Sequence, residues 1–236
     1  MNKKPLYLKT YLSTPGSHRT IERLKRNQVL FGQGKRADAI FYILTGVVGL
    51  TVTADGKERI IALLGPGSFA GKECMASKRP KRTCSGRALT ACTVLRIERN
   101  EVLHMIKTRR TFAVLIVDYL LSRITRYQEV IMDQMFVSSE KRLARTLLQL
   151  TNMSESGNVE VVVPYLGQTI LAEVVGTTRS RVSFFMNRFR VLGLIAYKSQ
   201  SPVLINATRL SAWLVDGCQI APVAQGQDGQ PADGAQ

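Results

Sequence analysis

The chain has little with which to hold a metal or stage a reaction. Of its 236 residues two are histidines, His18 and His104, and four are cysteines, Cys74, Cys84, Cys92 and Cys218. No cysteines are spaced as a CxxC pair, so the grouped ligands of a zinc or iron–sulfur site are missing and no metal site is expected. Reduced structural thiols are the expectation, Cys74 alone keeping a redox or haem-ligand alternative. Nucleophile-elbow and phosphate-loop motifs are missing too, which argues against an enzyme and leaves no catalytic residue to name. No apolar run approaches the length of a bilayer span, and MNKKPLYLKTYLS lacks the apolar core of a secretory signal. A cytoplasmic protein without a membrane partner is expected.

Acidic residues are also scarce. Seventeen Asp and Glu face 33 Lys and Arg, a formal net charge of +16, which suggests a polyanionic partner. The excess is uneven: 24 basic and 10 acidic residues precede position 138, against 9 and 5 from 138 to 217. Charge therefore supports nucleic-acid binding as a general attraction without marking the reading surface.

From about Arg19 to Arg99 the chain shows short β-branched runs punctuated by glycine. VLFGQG, AIFYILTGVVGLTVT, ADGKERIIALLGPGSF and CTVLRI are predicted as successive strands and turns, with Asp55-Gly56 as a hairpin signal. Such spacing implies a small antiparallel barrel or sandwich. A long helical segment follows, from about Arg99 to Met135, interrupted near Thr108–Arg110. In its second part Ala113, Val117, Leu120, Ile124, Tyr127 and Ile131 alternate at spacings of four and three, a seam through which two copies would pair as a coiled coil. Ser138 or Ser139 caps a helix from Glu140 to Leu150. VEVVVPYL is strand-like, LIAYKS and PVLIN form a hairpin with its tip near Lys198 to Pro202, and Thr208 to Val215 adds a short helix. Residues 218–236 are rich in Gly, Gln, Ala and Pro, the composition of a disordered tail.

The most informative stretch is Leu166 to Arg190, LGQTILAEVVGTTRSRVSFFMNRFR, which has the pattern of a helix-turn-helix. Ala172 and Gly176 are small where the helices must approach and the turn needs freedom. Val182, Phe185, Met186 and Phe189 form the buried stripe of the second helix. The opposite face centres on Ser180, Phe184 and Asn187, flanked by Arg181 and Arg188, with Arg179 in the first turn. With the hairpin behind it this is a winged helix-turn-helix, and double-stranded DNA is the expected partner. An ordinary helical hairpin with a basic outer face is the alternative.

Four pieces in order, FGQGKRADAIFYILTGVVGL, LLGPGSFAGKE, Arg82-Thr83 and EVVGTTRSRV, resemble the cyclic-AMP receptor protein/fumarate–nitrate regulator (Crp/Fnr) superfamily of bacterial transcription factors. The resemblance spans about residues 20–215. It implies an α+β fold of three parts: a cyclic-nucleotide-binding-like sensor barrel (double-stranded β-helix or jelly roll, 19–108), a dimerisation helix (109–137) and a winged helix-turn-helix (138–217). It further implies a homodimer on a palindromic operator, with RNA polymerase as partner if the protein activates. Nucleotide-binding members share Gly-Glu, nine residues, then Arg-Ser/Thr, in which the acid holds the ribose hydroxyl and the Arg the cyclic phosphate. Here Gly71 is followed by Lys72, and nine residues later by Arg82-Thr83. Glu73, one place on, points to the opposite face if the backbone stays extended. Tyr127 and Gln128 stand where the helix of the cyclic-AMP receptor offers small hydroxyls.

These residues are the candidate ligand set, and their departures argue against cyclic AMP. The loop SKRPKR, with Lys78, Arg79, Lys81 and Arg82 beside Lys72, suggests a pocket for a more anionic, nucleotide-type effector. A ligand-free regulator is the favoured alternative, so no cofactor is firmly implied. In the reader, Thr177 or Thr178 is placed to cap the helix and bond a phosphate, and the resemblance gives Arg179 a guanine contact. Ser180, Arg181, Phe184 and Arg188 complete the candidate DNA-binding set. A cyclic-nucleotide-binding regulatory subunit without DNA binding is the alternative from another class; it leaves the winged reader unexplained.

Overall fold

A computed structural model describes residues 11–12, 14–76, 79–153, 160–198 and 201–216. Lys78, the tip of the wing, most of the polar loop after Asn152, Cys218 and the tail lie outside the described residues.

Eight strands build the N-terminal half: β1 (Arg19–Leu24), β2 (Val29–Phe31), β3 (Ala39–Thr45), β4 (Val48–Ala54), β5 (Lys57–Leu64), β6 (Phe69–Ala70), β7 (Ser85–Ala88) and β8 (Cys92–Glu98). They pair antiparallel in two four-stranded sheets, β1-β8-β3-β6 and β2-β7-β4-β5. Alternation decides which side chains enter: Phe41, Ile43, Leu50 and Val94 meet between the sheets with Phe31, Val48 and Leu64. The β4–β5 turn is Asp55-Gly56, both at positive φ (50° and 72°), and closes with Ala54 opposite Lys57. Two left-handed central residues match the strand twist, which is why this dipeptide makes the hairpin.

Helix α1 (Arg99–Thr108) ends at Arg109, whose extended backbone (φ −123°, ψ 93°) separates it from α2 (Arg110–Phe136). Val102 and Met105 of α1 and Phe112 and Ile116 of α2 cover the outer face of the first sheet, against Ile40, Leu95 and Ile97. On another face the 27-residue helix, about 40 Å long, exposes an apolar stripe: Val114, Val117, Leu121, Ile124, Ile131 and Met135 are each at least half exposed. With Gln128 between Ile124 and Ile131, the stripe steps strictly by three and four. The predicted seam shares Val117, Ile124 and Ile131 with it, but Leu120 and Tyr127 are half-buried and Ala113 lies one place off. The stripe is rotated from the expected one because the side bearing Leu120 packs against the N-terminal half's core.

Helix α3 (Ser139–Asn152) starts at Ser138, whose hydroxyl accepts from Lys141 N. Strand β9 (Glu160–Val163), α4 (Gln168–Val175), α5 (Arg179–Val191), β10 (Ile195–Ala196), β11 (Val203–Asn206) and α6 (Ala207–Asp216) complete the C-terminal half. The strand-like run before α4 joins the hairpin: β9 pairs with β11 and β11 with β10, a three-stranded sheet. Phe189 of α5 and Trp213 of α6 meet edge to face at 5.1 Å. The C-terminal core does not stop at the domain edge. Ile60 and Leu63 of β5, with Val47 and Leu89 at the ends of β4 and β7, join Leu147, Leu171, Val175 and Phe189 in one buried cluster.

Candidate nucleic-acid interface and sensor cassette

The reader is set by its turn. Gly176 adopts the left-handed conformation (φ 71°) after α4, and its N–H and that of Thr177 both return to the Ala172 carbonyl (2.9 and 3.0 Å). This closure satisfies the last carbonyls of α4 and turns the chain sharply. Thr178, rather than Thr177, then caps α5, its hydroxyl accepting from Arg181 N. Val182, Phe185, Met186 and Phe189 face the core, all buried. The opposite face presents Arg179, Ser180, Arg181, Phe184 and Asn187 to solvent. Phe184 is 64% exposed, with an edge contact to Phe185 (5.8 Å). Arg188 is held differently, paired with Glu140 of α3 at 3.2 Å.

Arg142 of α3 fastens the reader to the long helix. Its guanidinium donates to the Val137 carbonyl (2.7 Å) beyond the end of α2 and to the Val175 carbonyl (2.9 Å) at the end of α4. Both helices leave terminal carbonyls without partners of their own, and a guanidinium fork suits two at once. Nothing in the local sequence marks Arg142 for this, because its acceptors come from two other helices.

The sensor cassette is arranged otherwise than expected. Gly71 (φ 77°) opens a 3-10 turn, Lys72–Met75, so the backbone is not extended. The turn brings Glu73 back toward the cassette instead of away from it: its Oε1 accepts from the Thr83 hydroxyl at 2.8 Å, and Oε2 lies 3.9 Å from Arg82. Arg82 is not part of an exposed basic loop. It is 3% exposed and packs against the stacked rings of Phe31 and Phe41 (4.5 and 5.6 Å to the centroids). It donates to the Gly71 carbonyl (2.8 Å) and the Ala39 carbonyl (2.7 Å), with Asp38 at 3.6 Å. Burial pulls this guanidinium down from its ordinary pKa, while the acids Glu73 and Asp38 act against that. A Cβ on Gly71 would meet Arg82 Nη1 at 2.2 Å, so only glycine leaves room for the guanidinium here.

Lys72 turns toward α2 and meets Tyr127, its Nζ 3.4 Å from the phenol oxygen. Arg123, which the sequence did not single out although it lies one helical turn before Tyr127, reaches the same oxygen at 3.4 Å. Gln128 is exposed on the α2 stripe, and among the described residues no hydrogen bond joins it to the cassette.

Cys74, beside the cassette, has no exposed surface, and burial pushes its thiol up to about 11. A buried, protonated thiol is a poor nucleophile and a poor metal ligand. Maleimide labelling of native protein at neutral pH is expected to leave Cys74 unmodified until denaturant is added. Rapid stoichiometric labelling at Cys74, located by peptide mass, would contradict this. His18 pairs with Glu98 at 3.3 Å. Among the described residues no group of three His, Cys, Asp or Glu is placed to hold a metal, and no helix is long and apolar enough to cross a membrane.

Two family models match the two halves: the cyclic nucleotide-binding domain over residues 21–109 and the Crp-like helix-turn-helix domain over residues 141–213. The chain belongs to the Crp/Fnr superfamily of transcription regulators. It is similar to the CRP-like cAMP-activated global transcriptional regulator of Mycobacterium tuberculosis, 25% identical over 79% of this chain and 84% of that protein. It is also similar to the cAMP-activated global transcriptional regulator CRP of Salmonella typhimurium, 23% identical over 82% and 92%. Among solved structures, FixK2 from Bradyrhizobium japonicum superposes with a TM-score of 0.71 at 16% identity, covering 82% of this chain and 96% of FixK2. Within this superfamily frame, the two halves are a nucleotide-binding-type barrel and a DNA-binding domain.

Proposed function

We propose that this Crp/Fnr regulator binds a palindromic operator as a homodimer, and that cyclic AMP is not its effector. The DNA-binding reading rests on the α5 face. Arg179, Ser180, Arg181 and Phe184 stand exposed on a helix whose turn is closed at Gly176 and whose first turn is capped by Thr178. A helix fixed at its N-terminus with its first residues outward suits entry into a major groove. Thr177 and Thr178, at the turn before α5, would contact phosphates. Arg188 is the exception, since contact with DNA requires it to leave Glu140. The exposed α2 stripe supplies the pairing surface that would set two readers on two half-sites. In an activator the bound dimer would also engage RNA polymerase.

Against cyclic AMP stands the state of Arg82. Its fork is bound to two main-chain carbonyls and its charge is answered by Glu73 and Asp38, while a cation replaces the acid after Gly71. A cyclic phosphate would have to displace these partners.

Selection from random duplexes tests the operator. A palindrome with half-site centres one helical turn apart is expected; an unstructured preference for AT- or GC-rich DNA would contradict it. On the selected site, Arg179→Ala is expected to cost about 1–3 kcal/mol and relax the preference at one base pair of each half-site. An unchanged base preference would remove Arg179 from the reading set.

A further inference from the structure

Where the cassette turn faces α2, two positive side chains converge on one neutral oxygen. Lys72 Nζ and Arg123 Nη2 each lie 3.4 Å from the Tyr127 phenol oxygen, and Lys72 Nζ and Arg123 Cζ stand 5.5 and 4.9 Å from the centroid of its ring. All three side chains are half-buried. Among the described residues neither cation has a carboxylate within ion-pair distance, although Glu73 adjoins Lys72 in sequence. Glu73 is committed to Thr83 and Arg82 instead.

Like charges brought together out of bulk water repel more strongly than in it, and a neutral phenol answers that poorly. Burial alone would push the Tyr127 phenol up; the hydrogen bond and charge of Arg123, then the charge of Lys72, outweigh it and hold the phenol below its ordinary value. The local field thus favours negative charge at that oxygen.

Space adjoins the cluster. Arg123 and Tyr127 line a crevice of about 60 Å³ beneath Ile61–Leu63 of β5, with Arg126 beside them. Its single carboxylate, Asp133, is taken by Arg145. A single water needs roughly 10–15 Å³ of such space, so the crevice has room for a phosphate group. At the other end of the cassette Arg82 is closed off by its own chain.

We propose that Lys72, Arg123 and Tyr127 form a binding site for a dianionic phosphate, either inorganic phosphate or the terminal group of a phosphate monoester. The proposal rests on reading the barrel as a sensor, and it places the effector's charge at the α2 side rather than at Arg82-Thr83. Two cations and a phenol donor match a dianion. A cyclic phosphodiester carries one charge and satisfies one cation.

The test is calorimetric titration of the full chain in phosphate-free buffer at fixed ionic strength, with inorganic phosphate, adenosine 5′-monophosphate and cyclic AMP as separate titrants. At least one dianion is expected to bind, with cyclic AMP weaker by about tenfold or more, the loss of one charge-assisted contact. Binding of phosphate alone identifies the free ion as the ligand; binding of the monophosphate alone identifies an esterified one. Lys72→Met and Arg123→Met are each expected to weaken binding by a similar factor, while Lys57→Met, which removes one exposed charge at the Asp55-Gly56 hairpin, leaves it unchanged. The proposal is overturned if neither dianion binds the unmodified protein at millimolar concentration, or if cyclic AMP binds as tightly. It is equally overturned if the two variants bind as Lys57→Met does. Should a variant fail to fold, the comparison of titrants on the unmodified protein still decides. Operator selection is scored separately, so failure here leaves the DNA-binding reading intact, and failure of selection leaves this site standing.

Discussion

Replacing Arg82 by alanine is expected to destabilise the ligand-free protein by about 3–5 kcal/mol, the range for stripping one partner from a buried charge pair. The side chain is almost wholly enclosed, and it is the donor to the Gly71 and Ala39 carbonyls. Its removal leaves Glu73 facing the interior without its cation, with Oε2 already lacking a hydrogen bond. It also leaves a gap beside the stacked rings of Phe31 and Phe41. Arg82→Met separates these effects. Methionine refills the gap, so its recovery over alanine measures packing, and the remaining deficit measures the lost donor. Urea unfolding without any ligand gives both numbers. A phosphate-binding arginine held in reserve for an effector would behave oppositely, its loss sparing the unliganded protein. Unchanged midpoints in both variants would therefore restore Arg82 to the candidate ligand set.

Charge placed in the α2 stripe is expected to abolish specific DNA binding without touching the reader. Leu121→Asp and Ile124→Asp together put two carboxylates into a seam that two copies would bury face to face. Sedimentation is expected to change from dimer to monomer. Operator affinity is then expected to fall by about two to four orders of magnitude, because the second half-site no longer binds at high effective concentration. Both positions are more than half exposed in the single chain, so the monomer should keep its helix content and unfolding midpoint. A variant that remains dimeric would place the pairing surface elsewhere. One that is monomeric yet binds the operator at full strength would remove the need for two readers. Gln128 in mid-seam gives the stripe a polar mark, which in paired helices favours one register at some cost in stability.

The elements themselves were readable. Short β-branched runs cut by glycine became strands, Asp55-Gly56 became the hairpin, and Thr178 and Gly176 fixed the two ends of the reader's turn. The seam was readable only in period. Residues 113 to 135 are apolar on more than one face, so two series of threes and fours run through Val117, Ile124 and Ile131. The sequence cannot say which flank the N-terminal half occupies, and packing assigned Leu120 to it. Arg82 misled for a related reason. At the end of SKRPKR it has the look of a solvated charge, and only the meeting of Phe31, Phe41, Ala39 and Gly71 from distant segments makes it interior. Glu73 depended on a single backbone angle: Gly71 at φ 77° starts a 3-10 turn, and every side chain after it points differently from an extended strand.

The buried cluster that unites Val47, Ile60, Leu63 and Leu89 with the reader's Leu171, Val175 and Phe189 also limits how this protein can be taken apart. Two family patterns side by side suggest interchangeable modules. Yet a barrel cut free near residue 137 would carry an apolar scar where the reader had been, and the severed reader its counterpart. A foreign reader joined at the same point would inherit a surface shaped for another lid. Exchange between relatives thus succeeds only when the strand face and the helices that cover it travel together.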